Sequence, residues 1–328
     1  MNATLAIDVA DRARRGLLRA LGPVARTVVV PRERRVALVG TMGVVVALGL
    51  TWLAPLAVLA LGPLLFGVPH LVADARYLVV RPGLHRQRMV LVGAALLVLG
   101  LGCGLGVRAG LGAAAFVALA AGGTRLRRGL VAAVFFVLAA IAWTAPFAAD
   151  VVFFHAHNLV ALALWLAWRR RTGRTHWLVL AALGLSLAAL ALGPLPAVVA
   201  THWSGLTFAE LGETLSLSND AARTQRLVLL FAFAQSVHYL VWLRLIPEDD
   251  RPGETPRSFA QSLRALRSDL GPLVLVLTAA VGVGLVVVAL VRIGLARNAY
   301  LGIAYAHGHL ELLAIGWLAA AGRRPRWT

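Results

Sequence analysis

Six of the nine histidines in this chain lie inside long apolar stretches: His70, His155, His157, His238, His307 and His309. An imidazole ligates transition metals or passes protons, and an ionisable group in the hydrocarbon layer of a bilayer is costly enough to imply a function with a partner. Two carboxylates share this setting. Asp74 stands four residues after His70, and Glu311 four residues after His307. Residues four apart share a helix face, so each pair can supply two metal ligands, or one ligand and the carboxylate that orients it. Imidazole with carboxylate suits iron, copper or zinc better than calcium or magnesium. A single histidine in an apolar helix more often packs than ligates; six, beside the only deep carboxylates, point to one centre.

The histidines also fall into a repeated pattern. Phe154-His155-Ala156-His157 with Trp165 matches Ala306-His307-Gly308-His309 with Trp317, each an H-x-H followed by Trp ten residues after the first His. His70 with Arg76 matches His238 with Arg244, each Arg six residues on. Two repeat halves, about 36–168 and 176–321, would each offer one single-His helix and one H-x-H helix. Positions i and i+2 of a helix point roughly 200° apart. One His of each H-x-H therefore faces the shared centre and the other a neighbouring helix or a second centre. The face shared with Glu311 favours His307 in its pair. The candidate ligands are His70, His155, His157, His238, His307, His309, Asp74 and Glu311, with Tyr77, Tyr239, Tyr305 and Asn158 as supporting groups. Pro69 removes a backbone donor just before His70 and predicts a bend there.

The elements that must position these groups follow from composition. The 328 residues are 60% hydrophobic and 14% charged, against about a quarter charged in a soluble domain, and the mean hydropathy is +0.81. That predicts an all-α, polytopic membrane bundle. About ten transmembrane helices are expected, near 36–53, 56–80, 88–107, 110–123, 128–146, 147–168, 176–198, 224–246, 271–292 and 298–321. The fourth is short and rich in Gly and Ala, so it is expected to be re-entrant or tightly packed.

All 32 basic residues are arginine and the net charge is +18. Their place in short loops speaks for topology and against nucleic acid. With both termini cytoplasmic, 25 arginines fall inside or in terminal arms and five outside; Arg76 and Arg244 snorkel from span ends. Residues 1–35 read as a basic cytoplasmic arm lying on anionic lipid, without the h-region of a cleaved signal peptide, and 322–328 as a basic tail. Residues 199–223 read as an interfacial helix or lid over the outer mouth. Ser258 is an expected N-cap for a surface helix up to Asp269. The one cysteine, Cys103, excludes an intrachain disulfide and a cysteine-based metal cluster. Arginine in place of lysine, with abundant Ala, Leu, Val and Gly, suggests a GC-rich bacterial genome and hence the bacterial inner membrane.

Gly67-Val68-Pro69-His70-Leu71-Val72-Ala73-Asp74 resembles the G-x-P-H-G-x-x-D signature of the bacteriorhodopsin-related membrane family of bacterial carotene dioxygenases. Leu71 stands where that signature has Gly. The family's second motif, Trp-His with a nearby Arg-His, has its nearest counterpart in His238 with Trp242 and Arg244. The resemblance implies cleavage of β-carotene to retinal with O2 at non-haem iron, with His70 an iron ligand and Asp74 its supporting carboxylate. His307-Gly308-His309-Leu310 with Gly316-Trp317 is similar to the H-x-H-L helix of haem- and copper-binding membrane oxidases. The expected function is a membrane metal-dependent oxidoreductase acting on an apolar isoprenoid or carotenoid substrate. Non-haem iron is the expected cofactor, with haem b or copper as alternatives. A haem b electron-transfer protein, or a proton- or metal-coupled transporter built on the same groups, are the competing readings.

Overall fold

The computed structural model describes residues 3–168, 173–195, 202–203, 206–251 and 253–323. The expected loop arginines Arg169, Arg170, Arg171, Arg324 and Arg326, Thr201 of the expected outer loop, and the end of the span expected at 176–198 lie outside the described residues. The fold is helical, apart from a two-residue antiparallel pairing of His202–Trp203 with Leu206–Thr207.

Among the described residues, six helices are long and apolar enough to cross a membrane. They are α2 (Arg32–Leu53), α3 (Pro55–Val80), α6 (Arg125–Thr144), α7 (Pro146–Trp168), α10 (Ala221–Asp249) and α12 (Pro272–Val291). Three shorter apolar helices stand where spans were expected: α4 (Arg88–Gly102), α5 (Val107–Ala120) and α8 (His176–Leu192). The Gly/Ala-rich α5 is held tightly by its neighbours, with Ala114, Ala115, Val117 and Ala118 fully buried. Small side chains let its backbone approach closely; a methyl group on Gly316 would come within 2.8 Å of the Ala114 carbonyl oxygen. Its first turn is capped by Asp150 of α7, which accepts from the Val107 N–H at 2.7 Å.

The stretch expected as one span at 298–321 is two helices, α13 (Ile293–Ala304) and α14 (His307–Ala321). The His307 ring folds back to the Ala304 carbonyl, taking an acceptor that the backbone ladder would otherwise use. The two pieces then pack differently, α13 against α3 and α12 and α14 against α5 and α6. Tyr305 and Ala306, at the break, each line a cavity, where irregular backbone inside a helical bundle is tolerated.

Proline shapes the other ligand-bearing helix. Pro63 and Pro69 sit in α3, which widens to π-helical turns at Pro63–Gly67 and Ala75–Val80. Pro63 has no N–H to give, so the carbonyl of Leu59 four residues back lacks its helical donor; Arg297 Nε supplies one at 3.0 Å. A matching π turn, Val241–Leu245, follows His238 in α10.

The basic end of the bundle is closed by an ionic knot. Glu248 accepts from Arg35 (2.8 and 3.1 Å) and from Arg251, and Asp250 pairs with Arg81. Trp165 Nε1 donates to Asp249 at 2.8 Å and Trp168 Nε1 to Asp250 at 3.3 Å. Arg76 was expected to snorkel into water. Instead it is buried and bound to Asp269 at 2.7 Å through both Nε and Nη2, because the surface helix α11 (Phe259–Leu270) brings that carboxylate over it. Arg244 is half-exposed. Ser258 caps α11 with Gln261 in a reciprocal capping box. The first part of the arm is an amphipathic helix, α1 (Ala3–Ala20), that docks on α11: Asp11 accepts from the N–H groups of Phe259 (2.8 Å) and Ala260 (3.2 Å).

Candidate metal centre

Four helices bring imidazoles together in the middle of the bundle: His70 from α3, His157 from α7, His238 from α10 and His307 from the start of α14. Ring centroids are 4.8 Å apart for His70 and His307, 5.2 Å for His70 and His238, 4.6 Å for His157 and His238, and 4.7 Å for His157 and His307. Their donor atoms form two overlapping groups. His70, His238 and His307 make one, and His157, His238 and Glu311 the other, with donor atoms within 4.8 Å of one another in each.

Protonation follows from the hydrogen bonds. His70 Nδ1 lies 2.7 Å from the carbonyl oxygen of Gly67, and His307 Nδ1 bonds the carbonyl of Ala304. A carbonyl only accepts, so both Nδ1 atoms carry the proton and both Nε2 atoms present lone pairs. Those two Nε2 atoms face each other at 3.2 Å. Two lone pairs do not bond; the approach becomes favourable with a proton or a cation between them. Two nitrogens bound to one ion at about 2.1 Å, with a tetrahedral or right-angle bite, stand about 3.0–3.4 Å apart. The axial imidazoles of a haem are on opposite faces, with nitrogens about 4 Å apart.

The other donors are unpartnered as well. Neither nitrogen of His238 makes a well-directed hydrogen bond, although the residue is 1% exposed; its nearest polar partner is the backbone of Asn158. His157 Nδ1 lies 3.0 Å from Glu311 Oε2, but off the direction of a hydrogen bond, so both atoms lack one. Glu311 Oε1 accepts from Trp242 Nε1 at 3.1 Å. Buried polar atoms are nearly always paired. A cluster of donors left open, all of types that bind transition metals, fits a metal ion.

Two glycines make the approach possible. A methyl group on Gly308 would meet His157 Nδ1 at 2.8 Å, so the Gly of H-G-H leaves room for the ring from α7. One on Gly67 would run into the Tyr300 ring, whose hydroxyl lies 3.3 Å from His70 Nδ1.

Not every candidate joins the cluster. The structure does not bring His155 or His309 to it. His155 Nε2 binds the Leu215 carbonyl at 3.0 Å and so holds α9 (Phe208–Leu215) to α7. His309 stacks on Phe153 with centroids 4.5 Å apart. One ring of each H-x-H thus turns away, as the 200° rule requires. The inward ring is the second of one pair, His157, and the first of the other, His307, so the two helices do not present equivalent positions. Asp74 is buried with Oδ1 unpartnered, outside both donor groups. It lines a small cavity of about 210 Å³ with His307 and Glu311.

Among the supporting groups, Tyr239 packs its ring 4.8 Å from His70. Asn158 bonds the Phe154 carbonyl at 3.1 Å at the wall of the main cavity, and Tyr305 also lines that wall. Tyr77 does not adjoin the cluster: it packs edge-on to Trp168, centroids 6.0 Å apart, near the ionic knot. Tyr300, Trp242 and Arg297 carry roles the sequence reading missed. Tyr300 is seven residues before His307, and Trp242 is four after His238, the spacing that singled out Asp74 and Glu311.

The main cavity, about 590 Å³, has His70, His157, His238 and His307 among its lining and is otherwise largely aromatic and aliphatic. Within the stretch 199–223, α9 is a short amphipathic helix whose Leu211 and Leu215 line that cavity. No family model, curated protein or solved structure gives a significant match to the chain.

Proposed function

We propose that the chain is an integral-membrane, metal-dependent oxidoreductase, with non-haem iron held by His70, His238 and His307 and with His157 and Glu311 beside them. The pair of Nε2 lone pairs at 3.2 Å, each ring locked by an Nδ1–H to a carbonyl, carries this reading. That spacing suits adjacent ligands of one ion better than the axial pair of a haem. His157, His238 and Glu311 add a two-histidine, one-carboxylate set, the donor composition of non-haem iron oxygenases; copper remains the alternative ion. Iron in such a site would supply O2 activation, and an apolar isoprenoid or carotenoid is the proposed substrate.

The chain's own part is positional. The Gly67 and Ala304 carbonyls fix the two rings and their tautomers. Trp242 orients Glu311, and the apolar cavity wall keeps water away from a hydrocarbon substrate. In this reading about ten segments cross a bacterial inner membrane and both termini face the cytoplasm, where the arginine excess lies.

A specific observation favours a second reading. His307 lines both the main cavity and the smaller one that holds Asp74 and Glu311, so the histidine centre is flanked by two cavities, the layout a proton- or metal-coupled transporter would use. Metal analysis and a visible spectrum of the purified protein separate the readings. Stoichiometric iron without a haem Soret band is expected. A Soret band would replace the ion with haem b. Absence of any transition metal, together with solute uptake that Glu311→Gln abolishes, would replace the enzyme with the transporter. Metal content unchanged in the His70→Ala/His307→Ala double variant would remove the shared centre altogether.

A further inference from the structure

We propose that the main cavity takes a chain molecule with an anionic head, a carboxylate or a phosphate, which pairs with Arg297 while the apolar body extends to the histidines. This rests on the oxidoreductase reading only for what happens at the histidine end. Arg297 and Asn298, on α13, line the same cavity as the four inward histidines. The guanidinium Nε is taken by the Leu59 carbonyl at 3.0 Å and Nη1 reaches Asn298 Oδ1 at 3.3 Å. Among the described residues, no carboxylate forms an ion pair with it.

Glu210, the acidic side chain among the cavity's described lining residues, is turned back on Thr207. Its Oε2 lies 3.1 Å from both the Thr207 N–H and the Thr207 hydroxyl, closing the capping box of α9. The cavity therefore carries a guanidinium without a carboxylate partner among the described residues, on a wall that combines Phe153, Phe154, Phe231 and Leu301 with neutral polar side chains such as Thr214 and Gln235. A pure hydrocarbon would desolvate that charge and give nothing back, whereas a carboxylate or phosphate would meet it with a charge-assisted hydrogen bond. Capping the Leu59 carbonyl explains one nitrogen of Arg297 and needs no charge. Distance adds a constraint. Ala304, beside the histidines, lines the cavity seven residues further along α13, so head group and reacting position stand about 10 Å apart along the helix.

The test is equilibrium binding to the full-length protein in nanodiscs of zwitterionic lipid. The probes are a fluorescent long-chain polyene carboxylic acid, its methyl ester, and an alkyl phosphate of matched length as competitor. The acid is expected to bind about ten-fold more tightly than the ester. Arg297→Gln keeps an amide donor for Leu59 and should erase the difference, while Arg297→Lys should retain most of it. Displacement by the alkyl phosphate at lower concentration than by the acid would assign the head to a phosphate; the reverse would assign it to a carboxylate. Equal binding of acid and ester to the native protein would overturn the proposal, as would a preference that survives in Arg297→Gln. Should Arg297→Gln fail to fold, the native ester comparison and the Lys variant still decide. Metal content is read on the same samples. Stoichiometric metal with no head-group preference sinks this proposal alone, and a preference without metal sinks only the oxidoreductase reading.

Discussion

Among the described residues, two clusters of buried polar side chains differ in whether their atoms are paired. In the knot at the basic end, Glu248, Asp249 and Asp250 are each met by an arginine or an indole N–H; Arg251 Nε and Arg32 Nε are the exceptions. At the centre, both nitrogens of His238, His157 Nδ1, Glu311 Oε2 and Asp74 Oδ1 have no hydrogen-bond partner. Burying a polar group costs free energy unless it is paired. The knot, being satisfied, holds helices together. The centre opposes folding by itself, and its arrangement makes sense through what it binds.

Breaking the knot should therefore have the largest effect on stability. Glu248→Ala leaves Arg35 and Arg251 buried without their carboxylate, and a loss of about 3–5 kcal/mol is expected. Denaturation of the purified protein measures it. Metal content of the folded fraction should not change. A variant as stable as the native chain would mean that the knot is incidental.

The same operation at the centre should go the other way. His238→Leu removes two buried nitrogens that no well-directed hydrogen bond satisfies, in exchange for an apolar side chain of similar size. Stability of the metal-free protein should hold or rise by about 1–2 kcal/mol, while metal binding is lost. If the metal-free variant were instead strongly destabilised, His238 would be a structural residue and the contrast between the clusters would collapse. A smaller change sharpens the comparison: Glu311→Gln keeps an acceptor for Trp242 but removes the charge beside His157. Metal affinity should fall about 10–100-fold with little change in the fold, read by titration with a competing chelator.

The helical class was legible from composition, and the ligand-bearing helices from the histidines themselves. Spacing of four picked out Glu311, and the 200° turn between i and i+2 foretold that one ring of each H-x-H would face away. It could not say which, because helix phase depends on neighbours. His157 rather than His155 faces inward because Gly308 of another helix makes room for it. The break at Tyr305–Ala306 was invisible in hydropathy, which saw one apolar run. The knot was missed because nothing in the spacing of Glu248-Asp249-Asp250 names a partner; only the fold shows Arg35, Arg81 and two tryptophans closing over it. Arg76 was misplaced for the same reason, since Asp269 reaches it from a helix almost two hundred residues away in sequence. Arg297 was one of the five arginines counted outside or at the outer edge, because a cavity wall is a property of packing.

The arm offers the mildest contrast with the centre, since it buries a single carboxylate that is fully used. Burial of Asp11 pushes its pKa up, but the N–H groups of Phe259 and Ala260, the Ser258 hydroxyl and nearby Arg14 outweigh this and hold it below the usual carboxylate value. A carboxyl group with a lowered pKa in the docked state favours docking above its free value of about 4. That contribution fades as pH falls through the lower, docked value. The contact between α1 and α11 should therefore be intact at neutral pH and loosen in acid, while Asp11→Ala should loosen it at every pH. Spin labels on exposed positions of the two helices would report the distance between them. A distance that does not respond to Asp11→Ala would leave Arg14, which donates to the Pro256 carbonyl at 3.1 Å, and apolar contact as what holds the arm. Metal content should be unaffected in either case, because no residue of the arm belongs to either donor group.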